Sequence, residues 1–339
     1  MSIAAATRAR IEGAHRFGAF YGGYLANHLP MALVALEAMG AGDAGIARFQ
    51  SRYESKLEPL GTAPEAIDPG DEYRHLGEQA AFPSWVEYFA NRIAADGVAR
   101  VLSQWTDRLS SGIGSGAFHG VIRTAYALES GSNREMAHAL AYWASAFEEG
   151  GHATAVRGTA TPAQVLASIA RNPRFAGRRF AGASIAERTR NARSRPDFAA
   201  LVARADPDRL NLESIAAALI GGYGASGNFT ILHGVTGCHA FRLLAPHMHD
   251  EPAARAYFWN AIVAAYVGCG SPPVEGWRLE GRDDLDWREI HRRAVACDDE
   301  HDVKLAYSCW REGLHYRNDH YRRVASAVVC AAQREATPC

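Results

Sequence analysis

Apolar residues recur along this 339-residue chain with helical rather than strand spacing. In "LPMALVALEAMG" the run over 30–39 opens on Pro30, suited to a first helical turn, and stops at Gly40, suited to ending one. Similar amphipathic, Ala-rich patterning predicts helices over 84–108, 116–129, 133–148, 162–171, 212–221, 228–244, 252–267, 287–311 and 317–334. Alternating β-branched runs are almost absent. Two stretches break the pattern. Residues 57–74, with Pro59, Pro64 and Pro69, read as a loop; Arg-rich 172–210, interrupted by Pro173, Pro196 and Pro207, reads as a surface connection with short helices. Neither is flanked by a change of composition, so the expectation is one large all-α domain over 1–339. "FHGVIRTAYAL" (118–128) and "LHGVTGCHAFRLL" (232–244) share an apolar residue and His-Gly-Val, a match short enough to be repeat or coincidence.

Composition narrows the partners. Hydrophobic content of 48% with 22% charged residues is ordinary for a soluble globular protein. A formal charge of −1 without a block of one sign predicts neither nucleic-acid nor membrane-surface binding. No apolar run has the length of a membrane span, and the N-terminus lacks a signal-peptide core. Cys238, Cys269, Cys297, Cys309, Cys330 and Cys339 form no C-x-x-C pair, so free thiols and a cytoplasmic setting are expected. None of these features carries a signal of oligomeric state.

Of fourteen histidines, most have ordinary surroundings; His15, His75, His138, His291, His315 and His320 lie beside charges or turn residues. Four do not. His28 stands at a helix entrance before an almost wholly apolar run, His119 follows small residues in "GSGAFHGVI", His233 lies between Leu232 and Gly234, and His301 begins a buried-looking face. A buried imidazole needs a partner, and histidines from different helices can share a metal. His239 competes with His233: six residues are about 240° apart net, so one helix cannot aim both at one point. The small residues on the His233 face, Thr236, Gly237 and Ala240, favour His233.

Nearly all positive charge is written as Arg; Lys56 and Lys304 are the two lysines. In "DDEHDVKLAYSCW" Lys304 is three residues after His301, hence its neighbour on a helix surface. A buried lysine loses its proton more readily, and the neutral amine can add CO2 to become a carbamate, an anionic oxygen ligand; Arg cannot. The other reading pairs Lys304 with Asp299 or Glu300.

Together "NHLPMALVALEAMGA", "AFHGVIRTAYALES", "FTILHGVTG" and "DDEHDVKLAYSC" resemble the questin oxidase family, enzymes of polyketide pathways, with the likeness spread from about residue 15 to 310. The resemblance implies a helical oxygenase with a mononuclear non-haem Fe(II) buried between helices. Carried over by position, its ligands would be His28, His119, His233, His301 and Lys304 as the CO2-derived carbamate. The implied reaction is O2-dependent cleavage of a carbon–carbon bond in an aromatic polyketide or quinone-like ring. Arg123, one turn after His119, is the candidate contact for a substrate oxyanion.

Other chemistries have partial signatures. "GYGASG" (222–227) and "GIGSGA" (112–117) match dinucleotide fingerprints but lack a preceding strand, so NADPH and a Baeyer–Villiger reaction are not expected. "EMAH" (135–138) and "EGGH" (149–152) match half of a di-iron site, yet on one helix they would lie about 21 Å apart. "HMHD" (247–250) with Lys304 suggests a carbamate-bridged hydrolase, but it falls between helical segments rather than on a strand. A non-catalytic helical protein binding a hydrophobic ligand is the remaining alternative.

Overall fold

The computed structural model describes residues 3–280 and 284–335. Its helices are α1 (Ala5–Ala14), α2 (Leu29–Ala38), α3 (Asp43–Glu54), α4 (Phe82–Asp96), α5 (Val98–Leu109), α6 (His119–Ser130), α7 (Asn133–Ser145) and α8 (Pro162–Ala170). They continue as α9 (Ile185–Arg193), α10 (Phe198–Val202), α11 (Leu212–Ser226), α12 (Phe229–Leu244), α13 (Glu251–Gly268), α14 (Trp287–Ala294), α15 (Glu300–Tyr316) and α16 (Asp319–Glu335). The strands among the described residues are the short antiparallel pair β1 (Phe20–Tyr21) and β2 (Leu25–Ala26). The chain is mostly helical, as the periodicity predicts.

Two expected helices are each divided. Gly97, at φ +82°, separates α4 from α5. Asp299 starts α15 afresh by accepting the His301 N–H at 2.7 Å, so 287–311 is not continuous. The unexpected α1 and α3 pack on α2, as short amphipathic covers. Segment 172–210 is only partly surface: Phe175, Ala192, Leu201 and Val202 are buried, and α9 packs against α13. Its arginine content concealed these apolar contacts.

Helix α2 is buried at every position from Leu29 to Leu36, which makes it a core helix rather than an amphipathic one. It packs on α6 and α15; α12 packs on both of these, closing a ring α2–α6–α12–α15. Close approach is built into the sequence: a Cβ on Gly120 would lie 2.5 Å from the Trp143 ring of α7. Burying this ring's facing surfaces is the main stabilising term. The five cysteines from Cys238 to Cys330 are free thiols, and Cys339 lies outside the described residues. No helix among the described residues is long and apolar enough to cross a membrane.

Candidate functional site

The four ring helices begin at one place. His28 immediately precedes α2, His119 opens α6, and His233 and His301 lie in the first two turns of α12 and α15. Four rings from four distant sequence positions therefore meet. Ring centroids are 4.5 Å apart for His28–His119, 4.8 Å for His28–His301, 4.9 Å for His119–His233 and 5.4 Å for His233–His301. Ligand nitrogens of His28, His119 and His301 all lie within 4.8 Å of one another, with His233 beside them.

Their orientation is set locally. His119 Nδ1 donates to the Gly116 carbonyl, and His233 Nδ1 donates to the Phe229 carbonyl at 2.8 Å. Both rings must then leave Nε2 as a bare lone pair. Asp299, already the cap of α15, accepts from His301 Nδ1 at 3.1 Å, which fixes a third ring in the same sense. The turn before His119 is strained: Ala117 and Phe118, neither of them glycine, stand at φ +57° and +67°. Such residues cost about 1–3 kcal/mol each and are retained where surrounding structure demands them. Gly116, at φ +54°, shares the turn, and a Cβ there would lie 2.7 Å from the Tyr142 hydroxyl oxygen.

His28 exposes what this arrangement lacks. Its Nε2 faces His119 Nε2 at 2.7 Å, and its Nδ1 lies 3.4 Å from Glu300 Oε1 without a hydrogen bond. A neutral imidazole has one N–H. Placed on Nε2, it satisfies His119 but turns the Nδ1 lone pair toward a carboxylate; placed on Nδ1, it leaves two Nε2 lone pairs face to face. A second proton is opposed: burial, then the nearby Lys304 charge, lowers the His28 pKa well below its ordinary value. Burial and then His233 do the same to His119, and burial and then His301 bring His233 to about 3. A divalent cation at the Nε2 atoms removes the conflict, because His28 then keeps Nδ1–H for Glu300. Two imidazole nitrogens bound cis to one metal at about 2.1 Å lie about 3 Å apart, close to this spacing. The residues fit a metal, and the donor type suits iron among others.

Lys304, one turn into α15, is buried, with its pKa lowered to about 8 by desolvation, against the opposing effect of Glu300 and Asp299. Its charge acts on His28, His119 and His233, so the buried amine lies within electrostatic reach of the cluster. Glu300 and Asp299 act on the Lys304 charge without closing on it. Glu300 reaches His28, His301 and Lys56, and neither it nor Asp299 comes within ion-pair distance of Lys304 among the described residues.

The cluster opens into a cavity of about 610 Å³. Its floor includes His28, His119, His233 and His301, and its walls include Phe20, Tyr21, Tyr24, Phe147 and Phe229. Phe229, half exposed, lies 4.8 Å from the His233 ring and 4.7 Å from that of His301. The volume suits a small-molecule ligand.

Residues 25–309 match the protein family described as Questin oxidase-like. The chain belongs to that family. No curated protein matches it. Membership points to oxidoreductase chemistry on a small molecule, and the matched span contains all four clustered histidines and Lys304.

Other candidates lie elsewhere. Arg123 does not line the cavity; it is buried and gives Nε and Nη2 to Glu135 at 2.8 and 3.2 Å. Its long side chain reaches α7, where a buried charge finds the counter-charge it requires. That corrects its expected role at a substrate oxyanion. His239 joins a separate cluster, with Nδ1 2.6 Å from Glu312 Oε1. "GYGASG" runs through the end of α11 rather than a strand–helix turn, and "EGGH" is not helical. His249 pairs with Asp107 on an exposed turn. Sequence reasoning missed the β1–β2 hairpin, Phe147 and α9 as cavity walls. No short-range signal marks them, since each faces the site only through tertiary packing.

Proposed function

We propose that this protein is a non-haem Fe(II) oxygenase that cleaves a carbon–carbon bond in an aromatic, quinone-like substrate of polyketide type, using O2. The observation that carries this reading is the meeting of His28, His119 and His301 nitrogens within 4.8 Å of one another, with the conflicted His28 proton and the His233 ring beside them, at the floor of an aromatic-walled cavity. His28, His119, His233 and His301 would hold the metal, and Lys304 as its carbamate would add one anionic oxygen, leaving a centre of net charge near +1. With an amine pKa of about 8, about a tenth of Lys304 is neutral at pH 7 and open to CO2.

The chemistry supplied there by bound Fe(II) is activation of O2 toward an electron-rich ring carbon. The chain itself binds and orients. Phe229 and the hairpin aromatics Phe20, Tyr21 and Tyr24 offer flat apolar faces that hold a planar ring above the histidines and displace water. Asp299 and the Gly116 and Phe229 carbonyls keep the imidazoles in one tautomer and one orientation.

The test is metal analysis of anaerobically purified protein, followed by O2 uptake with an anthraquinone or anthraquinol. About one iron per chain and substrate-dependent O2 consumption with a ring-opened product are expected. Protein that neither contains a metal nor takes up added Fe(II) would overturn the proposal.

A further inference from the structure

Two arginines among the described residues are buried, and they are not alike. Arg123 is 3% exposed and held by the Glu135 carboxylate through two bonds. Arg188, on α9, is 6% exposed, yet no carboxylate lies within ion-pair distance of it among the described residues. Its Nη1 donates to the Gly182 and Ala183 carbonyls at 2.9 and 3.2 Å. The Nε and Nη2 hydrogens have no protein acceptor among the described residues, and the side chain lines the same cavity as the four histidines. A buried guanidinium stays charged, so it needs an anion or water on that side.

The surroundings do not pair it. The Glu187 carboxylate acts on Arg188 through space but accepts the Ala183 N–H at 2.6 Å and makes no ion pair with the guanidinium. Glu148 takes two bonds from Arg190, at 2.9 and 2.8 Å, and one from Arg193 at 2.9 Å. Arg179 adds a further positive charge near Arg188. The first turn of α9, from Ser184 to Glu187, lines the same wall with its N-terminal, positive end. The position is rigid: α13 comes so close that a Cβ on Gly268 would lie 2.8 Å from the Arg188 carbonyl oxygen.

The geometry points to Arg188 as the residue that selects an acidic substrate, pairing its free guanidinium edge with a carboxylate or ring phenolate while the aromatic body extends toward the histidines. This deepens the proposed function and rests on its placing of an aromatic substrate in this cavity. A planar oxyanion matches the guanidinium fork, and pairing it there neutralises a charge that the fold leaves open. Neutral ring systems of the same size would gain only the apolar walls.

Binding of three matched probes to the whole protein tests this by tryptophan-fluorescence titration: anthraquinone-2-carboxylate, 2-hydroxyanthraquinone below and above its own ionisation, and neutral 2-(hydroxymethyl)anthraquinone. The carboxylate is expected to bind about 10- to 100-fold more tightly than the neutral alcohol. Arg188→Gln should erase that preference while leaving the alcohol within about 3-fold, and Arg188→Lys should retain part of it. A gain for the hydroxy compound only on ionisation identifies the phenolate as an accepted anion. Equal wild-type affinity for acid and alcohol would overturn the Arg188 assignment and leave the cavity reading intact. Failure of all three probes to bind would overturn both. The wild-type ratio needs no variant, so it decides the matter even if a substituted protein does not fold.

Discussion

The two ends of one helix ring treat buried histidine in opposite ways. At the N-terminal end, His28 and His119 turn Nε2 atoms toward each other, His301 brings a nitrogen within 4.8 Å of theirs and the His233 ring stands beside them, with Nδ1 of three of the four held by backbone or carboxylate oxygens. Farther along α12 and α15, His239 is fully buried but gives Nδ1 to Glu312, which also binds Arg242 at 2.6 Å. Burial alone would raise the Glu312 pKa, but His239 and Arg242 pull it down to about 2. His15, with Glu135 and Arg123, repeats this pattern between α1, α6 and α7. In these clusters each charge has a counter-charge. At the four-histidine site the rings meet one another instead. Burial of a histidine is therefore not the sign of a site; whether its ring meets a carboxylate or other histidines is.

Lys304→Arg is the sharpest way to break the comparison. It keeps a cation and comparable bulk but cannot form a carbamate, so iron content should fall from about one per chain to near zero and turnover should vanish. Full activity in that variant would return Lys304 to an ordinary buried cation. At the other end, Glu312→Gln should cost about 3–5 kcal/mol in urea unfolding, because it leaves the Arg242 guanidinium without its counter-charge and the buried His239 ring without its carboxylate partner.

That variant also alters the acid response. The folded Glu312 pKa is lowered, so its stabilising contribution is complete above the ordinary value of 4.5 and is lost as pH falls toward about 2. Unfolding measured between those values should show a shallower loss in Glu312→Gln than in the parent. An unchanged slope would mean that the pair does not persist in solution.

Added Fe(II) should raise the melting free energy of metal-free protein by about 3 kcal/mol at a hundredfold excess over Kd. His28→Ala should remove this gain, and calorimetry of Ala117→Gly should show the smallest change, a stabilisation of about 1 kcal/mol from relief of a left-handed backbone. A loss of stability instead would mean that the turn before His119 is not strained.

The helical pattern and the unusual placing of four histidines and one lysine were legible in the order of residues, since spacing of 3.6 is a local property and so is an imidazole set among apolar neighbours. Local context also misjudged some residues. His15 and His138 look ordinary beside charged neighbours, yet both are buried and stacked 4.1 Å apart. Arg123 lies one turn from His119, but its side chain ends at Glu135. The Arg-rich stretch 172–210 reads as surface, though it delivers Arg188 to the cavity. The chain by itself determined which segments coil and which side chains carry unusual chemistry. Only the tertiary structure decided which nitrogens face one another, which charges find partners and which aromatics form the walls. Those are relations between positions tens to hundreds of residues apart, and packing of α2, α6, α12 and α15 sets them.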